Sequence, residues 1–137
     1  MSLVNRLLKL VKRHETPALG PDDPGLAIVA EAFDPAVADS AVLAGSPAWV
    51  AAAPAVLRHH LLLPPDRLAE AASILAQDGY ELREQAPSEG LARVLAVRVQ
   101  VLDALHCAQE RSRMAGLAQR LGGDALGWDA QQPEPTA

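Results

Sequence analysis

Two pairs of neighbouring side chains carry the elements of chemistry in this chain: His59-His60 and His106-Cys107. Two imidazoles could chelate a transition metal, and a thiol beside an imidazole could form a nucleophile and its base. The spacing works against both. In an extended segment, neighbouring side chains point to opposite faces, so His59 and His60 cannot share an ion, and no Asp, Glu or Cys at ligand spacing joins them. His59 is expected to be a hydrogen-bonded core histidine, and His60 to face outward on a contact surface. His106 and Cys107 fall on a predicted helix, about 100° apart around its axis, and do not face each other. Nothing in the sequence orients a base toward the thiol. Cys107 therefore reads as a buried structural residue. As the only cysteine it forms no internal disulfide and leaves the redox compartment open. The acids Asp66, Glu70, Asp78, Glu81, Glu84 and Glu89 are spread over predicted helix, strand and turn surfaces. Gly122, Gly123 and Gly127 lack the spacing of a phosphate-binding loop. The expectation is a non-enzyme with no catalytic residue, no cofactor, no metal and no small-molecule substrate.

The elements that would position these residues are clearest between 55 and 131. Residues 56–63 suit a strand, with Leu57, His59, Leu61 and Leu63 on one face and Val56, Arg58, His60 and Leu62 on the other. Pro64-Pro65-Asp66 ends it and opens a helix in which Leu68, Ala71, Ala72 and Leu75 recur at helical spacing, with Gly79 as its left-handed C-terminal residue. Tyr80 to Ala86 forms a second strand, residues 87–90 a turn, and Arg93 to Leu102 a third strand. There Leu95, Val97, Val99 and Val101 alternate with Ala96, Arg98 and Gln100. Asp103 caps a second helix running to about Leu121, Gly122-Gly123 breaks it, and Ala125 to Ala130 makes a last strand. The order predicts an α+β, ferredoxin-like βαββαβ sandwich: a four-stranded antiparallel sheet with two helices on one face.

Outside this domain the signals are of other kinds. Residues 26–54 read as a loosely helical lead-in, with Asp34-Pro35 opening a short helix to about Ala44 and Ser46-Pro47 repeating that signature. Residues 16–25 have the Pro/Gly composition of a linker, and 132–137 that of a disordered tail. Residues 1–15 form a basic amphipathic helix. Leu3, Leu7, Leu10 and Val11 share one side and Arg6, Lys9, Lys12 and Arg13 the other. The first fourteen residues carry +4 and the remainder −9, within a net charge of −5 over 137 residues. This helix is expected to dock on a partner protein or an anionic membrane surface, against the alternative of folding back on its own domain.

The sheet face away from the two helices is expected to present Arg58, His60, Arg98 and Gln100 to a partner. Single-stranded RNA needs stacking aromatics there, and none of these four is aromatic, so direct nucleic-acid binding is not expected. An acidic net charge points the same way. With no run of about 20 apolar residues and no secretion signal, the expected location is cytoplasmic, or peripheral at the inner face of the membrane through a complex.

His59-His60-Leu61, then Asp66, Leu68, Ala71-Ala72, Gly79-Tyr80-Glu81, Leu117-Ala118, Gly122-Gly123 and Gly127-Trp128-Asp129 together resemble the RraB family, regulators of ribonuclease E activity. The similarity covers roughly residues 57–131. It implies a ferredoxin-like fold and a non-catalytic protein that inhibits ribonuclease E by binding it. The alternative expectation is an accessory subunit of a larger complex, docked through residues 2–14.

Overall fold

The computed structural model describes residues 18–86 and 90–135. Its core is one five-stranded antiparallel sheet in the order β1-β5-β2-β4-β3. The strands are β1 (Leu26–Ala32), β2 (Pro54–Leu63), β3 (Glu81–Glu84), β4 (Ala92–Val101) and β5 (Asp124–Pro133). Three helices, α1 (Asp39–Ala44), α2 (Leu68–Ala76) and α3 (Ala104–Arg120), pack on one face. The α+β class is as expected, but the sheet has five strands rather than four. The lead-in is not simply helical: Leu26–Ala32 is a full edge strand. Nor does the chain lose its order at 132, because β5 runs to Pro133 and Gln132 is buried.

The local signals between 54 and 121 act as the sequence suggests. A single 3-10 turn at Pro65–Arg67 leads from β2 into α2. Beyond α2, Gly79 takes φ 80°, a conformation that costs a residue with a Cβ but not glycine. Asp103 caps α3 by accepting the His106 N–H at 2.8 Å. The first short helix begins later than Asp34. That carboxylate instead accepts the Ala36 N–H at 2.9 Å in a turn, and α1 starts at Asp39. Ser46-Pro47 opens no helix, and the Ser46 hydroxyl donates back to the Val42 carbonyl at 2.6 Å.

Two apolar clusters fill the space between sheet and helices. One joins Leu61, Leu63, Val94 and Ala96 to Leu75 of α2 and Met114 of α3. The other gathers Leu57, Ala30, Ala130, Leu43 and Cys107 around Trp128. A register shift in β5 lets both clusters draw on that strand. His60 pairs with Gly127 and Leu61 with Ala125, so Leu126 is an extra residue. Without the bulge, Ala125 and Trp128 would face opposite ways; with it, both face the helices. Gly127 has φ 140°, and a Cβ there would stand 2.3 Å from the Ala32 carbonyl oxygen, so the bulge needs glycine.

A candidate protein-binding face

On the sheet face without helices, cross-strand pairing arranges the side chains in four rows. The first holds Leu26, Pro133, Pro54 and Val101, and the second Ile28, Gln131, Val56 and Val99. The third holds Glu31, Asp129, Arg58, Val97 and Glu81, and the fourth is built on Gly127, His60, Leu95 and Arg83. One end of the face is therefore mostly apolar, with Gln131 in its midst, and the other carries the charged side chains around Val97 and Leu95.

Asp129 organises the charged end. It is 2% exposed, accepts from Arg58 through both oxygens at 2.7 and 2.9 Å, and meets His60 Nε2 at 2.5 Å. Burial alone would raise its carboxyl pKa, but the hydrogen bonds from His60 and Arg58 outweigh that and hold it below the ordinary value. Phe33 stands edge-on to the His60 ring at 5.0 Å between centroids. Arg58 and His60 thus lie on the expected face, yet both are engaged with Asp129 rather than free for a partner. The sequence carried a signal for this: an aspartate between Trp128 and Ala130, in an otherwise half-buried strand, needs a cation opposite it.

Arg98 and Gln100 are on the other side of the sheet, which corrects their expected place. Arg98 donates to the Asp78 carbonyl at 2.8 Å, pairs with Glu110 of α3 and lies 4.2 Å from the centroid of the Tyr80 ring. Gln100 donates to the same Glu110. Their neighbours Val99 and Val101 take the helix-free face instead, 36% and 50% exposed, with Ile28 at 49%. Further in, Val56, Leu95 and Val97 are buried under Leu19 and Leu26. Residues 18–25 reach this face from β3, where Asp22 pairs with Arg83 at 2.7 Å. The expected docking residues Leu3, Arg6, Leu7, Lys9, Leu10, Val11, Lys12 and Arg13 lie outside the described residues.

The two chemical pairs are separated as the geometry requires. His59 faces the helices, 1% exposed, but its Nε2 has no hydrogen-bond partner, contrary to the expected bonded core histidine. It borders a cavity of about 180 Å³ with Arg111 and Met114. Burial, with Arg98 adding to it, pushes its pKa down from 6.5 to about 3. The folded state keeps this ring neutral while the unfolded chain protonates it near 6.5, so stability falls as pH drops below that value. At about 1.4 kcal/mol per pH unit, the cost reaches ~2 kcal/mol at pH 5. Urea titrations of His59→Leu and of the unaltered chain should therefore converge in slope above pH 7 and separate by about that amount at pH 5. Parallel profiles over the whole range would remove His59 as the cause.

Cys107 is fully buried, and burial followed by the negative charges of Glu110 and Asp39 pushes its thiol up to about 12. A thiol so placed stays protonated and is a poor nucleophile at neutral pH. His106 pairs with Asp103 on the exposed surface. Among the described residues no three His, Cys, Asp or Glu side chains gather as metal ligands. A depression of about 610 Å³ between β1 and α1 has Glu31 as its single ionisable lining residue.

Comparison with protein-family models, with curated proteins and with solved structures finds no match. Among the described residues no helix is long and apolar enough to cross a membrane.

Proposed function

We propose that this chain is a non-catalytic protein-binding regulator of the RraB kind, acting by direct contact with a ribonuclease E-type endonuclease through its helix-free sheet face. Its core would be a ferredoxin-like unit of β2, α2, β3, β4, α3 and β5, to which β1 adds a fifth strand. The order β5-β2-β4-β3, antiparallel throughout, supports that reading of the core.

The observation that carries the binding role is the more apolar end of the face, where Val99 and Val101 stand side by side on β4, 36% and 50% exposed, and Ile28 is 49% exposed across the sheet on β1. An exposed apolar group rimmed by charge is a common mark of a protein interface. RNA is disfavoured on the same surface: Phe33 is its one aromatic and is engaged with His60, while Arg58 is neutralised by Asp129.

The test is binding of the full chain to purified ribonuclease E, with RNA cleavage followed in parallel. The expected result is a saturable complex and slower cleavage. Val99→Asp with Val101→Asp should weaken the complex by at least about tenfold, the loss of about 1.4 kcal/mol, because two desolvated contacts are replaced by buried charge. Unaltered cleavage together with no complex would end the ribonuclease reading.

A further inference from the structure

We infer that the cavity between α3 and β5 at His59 is a binding site for a small monocarboxylate, held at its charged end by His59 and Arg111 and along its alkyl chain by Leu126 and Met114. His59 is 1% exposed, its Nε2 has no hydrogen-bond partner, and the residue lines this cavity of about 180 Å³. A buried nitrogen left without a bond is costly, and a ligand that supplies the partner removes that cost. One water takes up only about 30 Å³ in the liquid and needs two or more polar partners. The space at His59 is larger than that and mostly apolar.

The cavity has a floor, a wall and a mouth. His59 and Met114 are buried at the floor, Leu126 is a half-buried wall, and Pro35 and Ala115 are exposed at the rim. The wall depends on the bulge in β5, because Leu126 is its extra residue and Gly127 the glycine beside it. Bulges of this kind often re-aim side chains next to functional sites. An apolar cavity of about 150 Å³ admits benzene, so a molecule of about six non-hydrogen atoms fits here.

The polar groups select a carboxylate. Burial, with Arg98 adding to it, keeps the His59 ring neutral, and with its proton on Nε2 that ring donates one N–H. Arg111 lines the same cavity. Its Nη1 donates to Asp39, while its Nε and Nη2 have no partner among the described residues. No carboxylate, hydroxyl or amide side chain lines the space. Two donor groups with no acceptor beside them suit a carboxylate's two oxygens. Asp39 on the same guanidinium disfavours a second negative charge, so a phosphate dianion fits less well. The site is on the helix side of the sheet, opposite the face assigned to a protein partner, and does not depend on that partner.

The experiment titrates the full chain with sodium butanoate, and separately with butanamide, inorganic phosphate and sodium chloride at matched ionic strength. Nuclear magnetic resonance of the Met114 methyl group and the His59 ring nitrogens gives the readout. Butanoate should shift both saturably, and butanamide, of the same size but uncharged, should bind about tenfold or more weakly. Phosphate and chloride should leave both signals in place. His59→Phe removes the donor but keeps a ring, and should weaken butanoate about tenfold or more, read at Met114. Ala115→Leu narrows the mouth from an exposed helix position and should weaken it as well, so the site remains testable if His59→Phe fails to fold. Absence of a saturable shift would overturn the site and leave the cavity to solvent. Equal shifts with chloride or phosphate would reduce it to a general anion effect and overturn it too. Equal binding of butanamide, or undiminished butanoate binding in either folded variant, would have the same consequence. Ribonuclease E takes no part in these readouts, so failure here and failure of the regulator reading are told apart.

Discussion

Replacing Asp129 by alanine is expected to destabilise the fold by about 3–5 kcal/mol, because one buried carboxylate serves two partners. Arg58 would lose both of its charge-assisted bonds and His60 its Nε2 contact at 2.5 Å, while His60 Nδ1 already has no partner. The damage would come mainly from stranding those groups in a site that is 2% exposed at Asp129 and 7% at His60. Urea denaturation followed by circular dichroism measures it. Two further variants test the cause. Asp129→Asn keeps the shape but loses the charge, and should fall between alanine and the unaltered chain. Replacing all three together (Arg58→Met, His60→Leu and Asp129→Leu) should recover most of the loss, since a buried ion cluster is often matched by apolar residues of similar volume. A triple variant as unstable as Asp129→Ala would mean that backbone distortion, not stranded polarity, is the cause.

The same carboxylate sets an acid limb. Its folded pKa lies below the ordinary 3.8, so its stabilisation is fully present above that value and is lost as pH falls through the lower folded one. His59 acts earlier on the pH scale and by the opposite chemistry, since there the neutral form is the one held in the fold. The two groups act at neighbouring positions of β2 on opposite faces of the sheet, His59 through its own ring and Asp129 of β5 through its contact with His60. Their separate pH windows make the two faces of β2 distinguishable in solution.

How far the sequence could be read depended on whether a segment's partner was nearby in the chain. Between Pro54 and Arg120, strong stops at Pro64-Pro65, Gly79 and Asp103 define each element locally, and the expected strands and helices differ from the observed ones only at their ends. The two misread segments, 26–32 and 131–133, pair with each other: Leu26 lies opposite Pro133 and Ile28 opposite Gln131. Neither has a convincing pattern alone. One is alanine-rich and the other polar, and only their hydrogen-bonded ladder makes them strands.

Strand β4 exposes a different limit. Alternation separated Leu95, Val97, Val99 and Val101 from Arg98 and Gln100 correctly, but it did not say which set meets the helices. The expected answer, with the aliphatic set inward, follows from burial preference alone. The observed one depends on Glu110, a helix residue that takes both Arg98 and Gln100, and on Tyr80 beneath the guanidinium. A polar network satisfied on the helix side leaves the aliphatic stripe on the other face. The candidate binding surface follows from that inversion and was not legible in any one strand.

Trp128 carries the second large effect. It is completely buried and is the largest such side chain, so Trp128→Ala should cost about 3–5 kcal/mol through lost burial and the cavity left behind. Its role is wider than bulk. The indole Nε1 donates to Asp39 at 3.1 Å, and Arg111 of α3 donates to the same oxygen at 2.9 Å. Asp39 is 5% exposed at the start of α1, so this pair of bonds ties a six-residue helix to both β5 and α3. A helix that short does not hold itself in water. Trp128→Phe keeps most of the volume and removes the donor, and should cost about 1–3 kcal/mol, with Arg111 left as the remaining partner of Asp39. Hydrogen exchange separates the two contributions. The amides of Val42 and Gly45, bonded to Ala38 and Ala41, should lose protection in both variants, whereas β2 and β4 should be affected chiefly by alanine. Undiminished protection of α1 in Trp128→Phe would show that the packing of Leu43 and the Arg111 bond to Asp39 suffice to anchor the helix, and that the indole bond to Asp39 adds nothing to it.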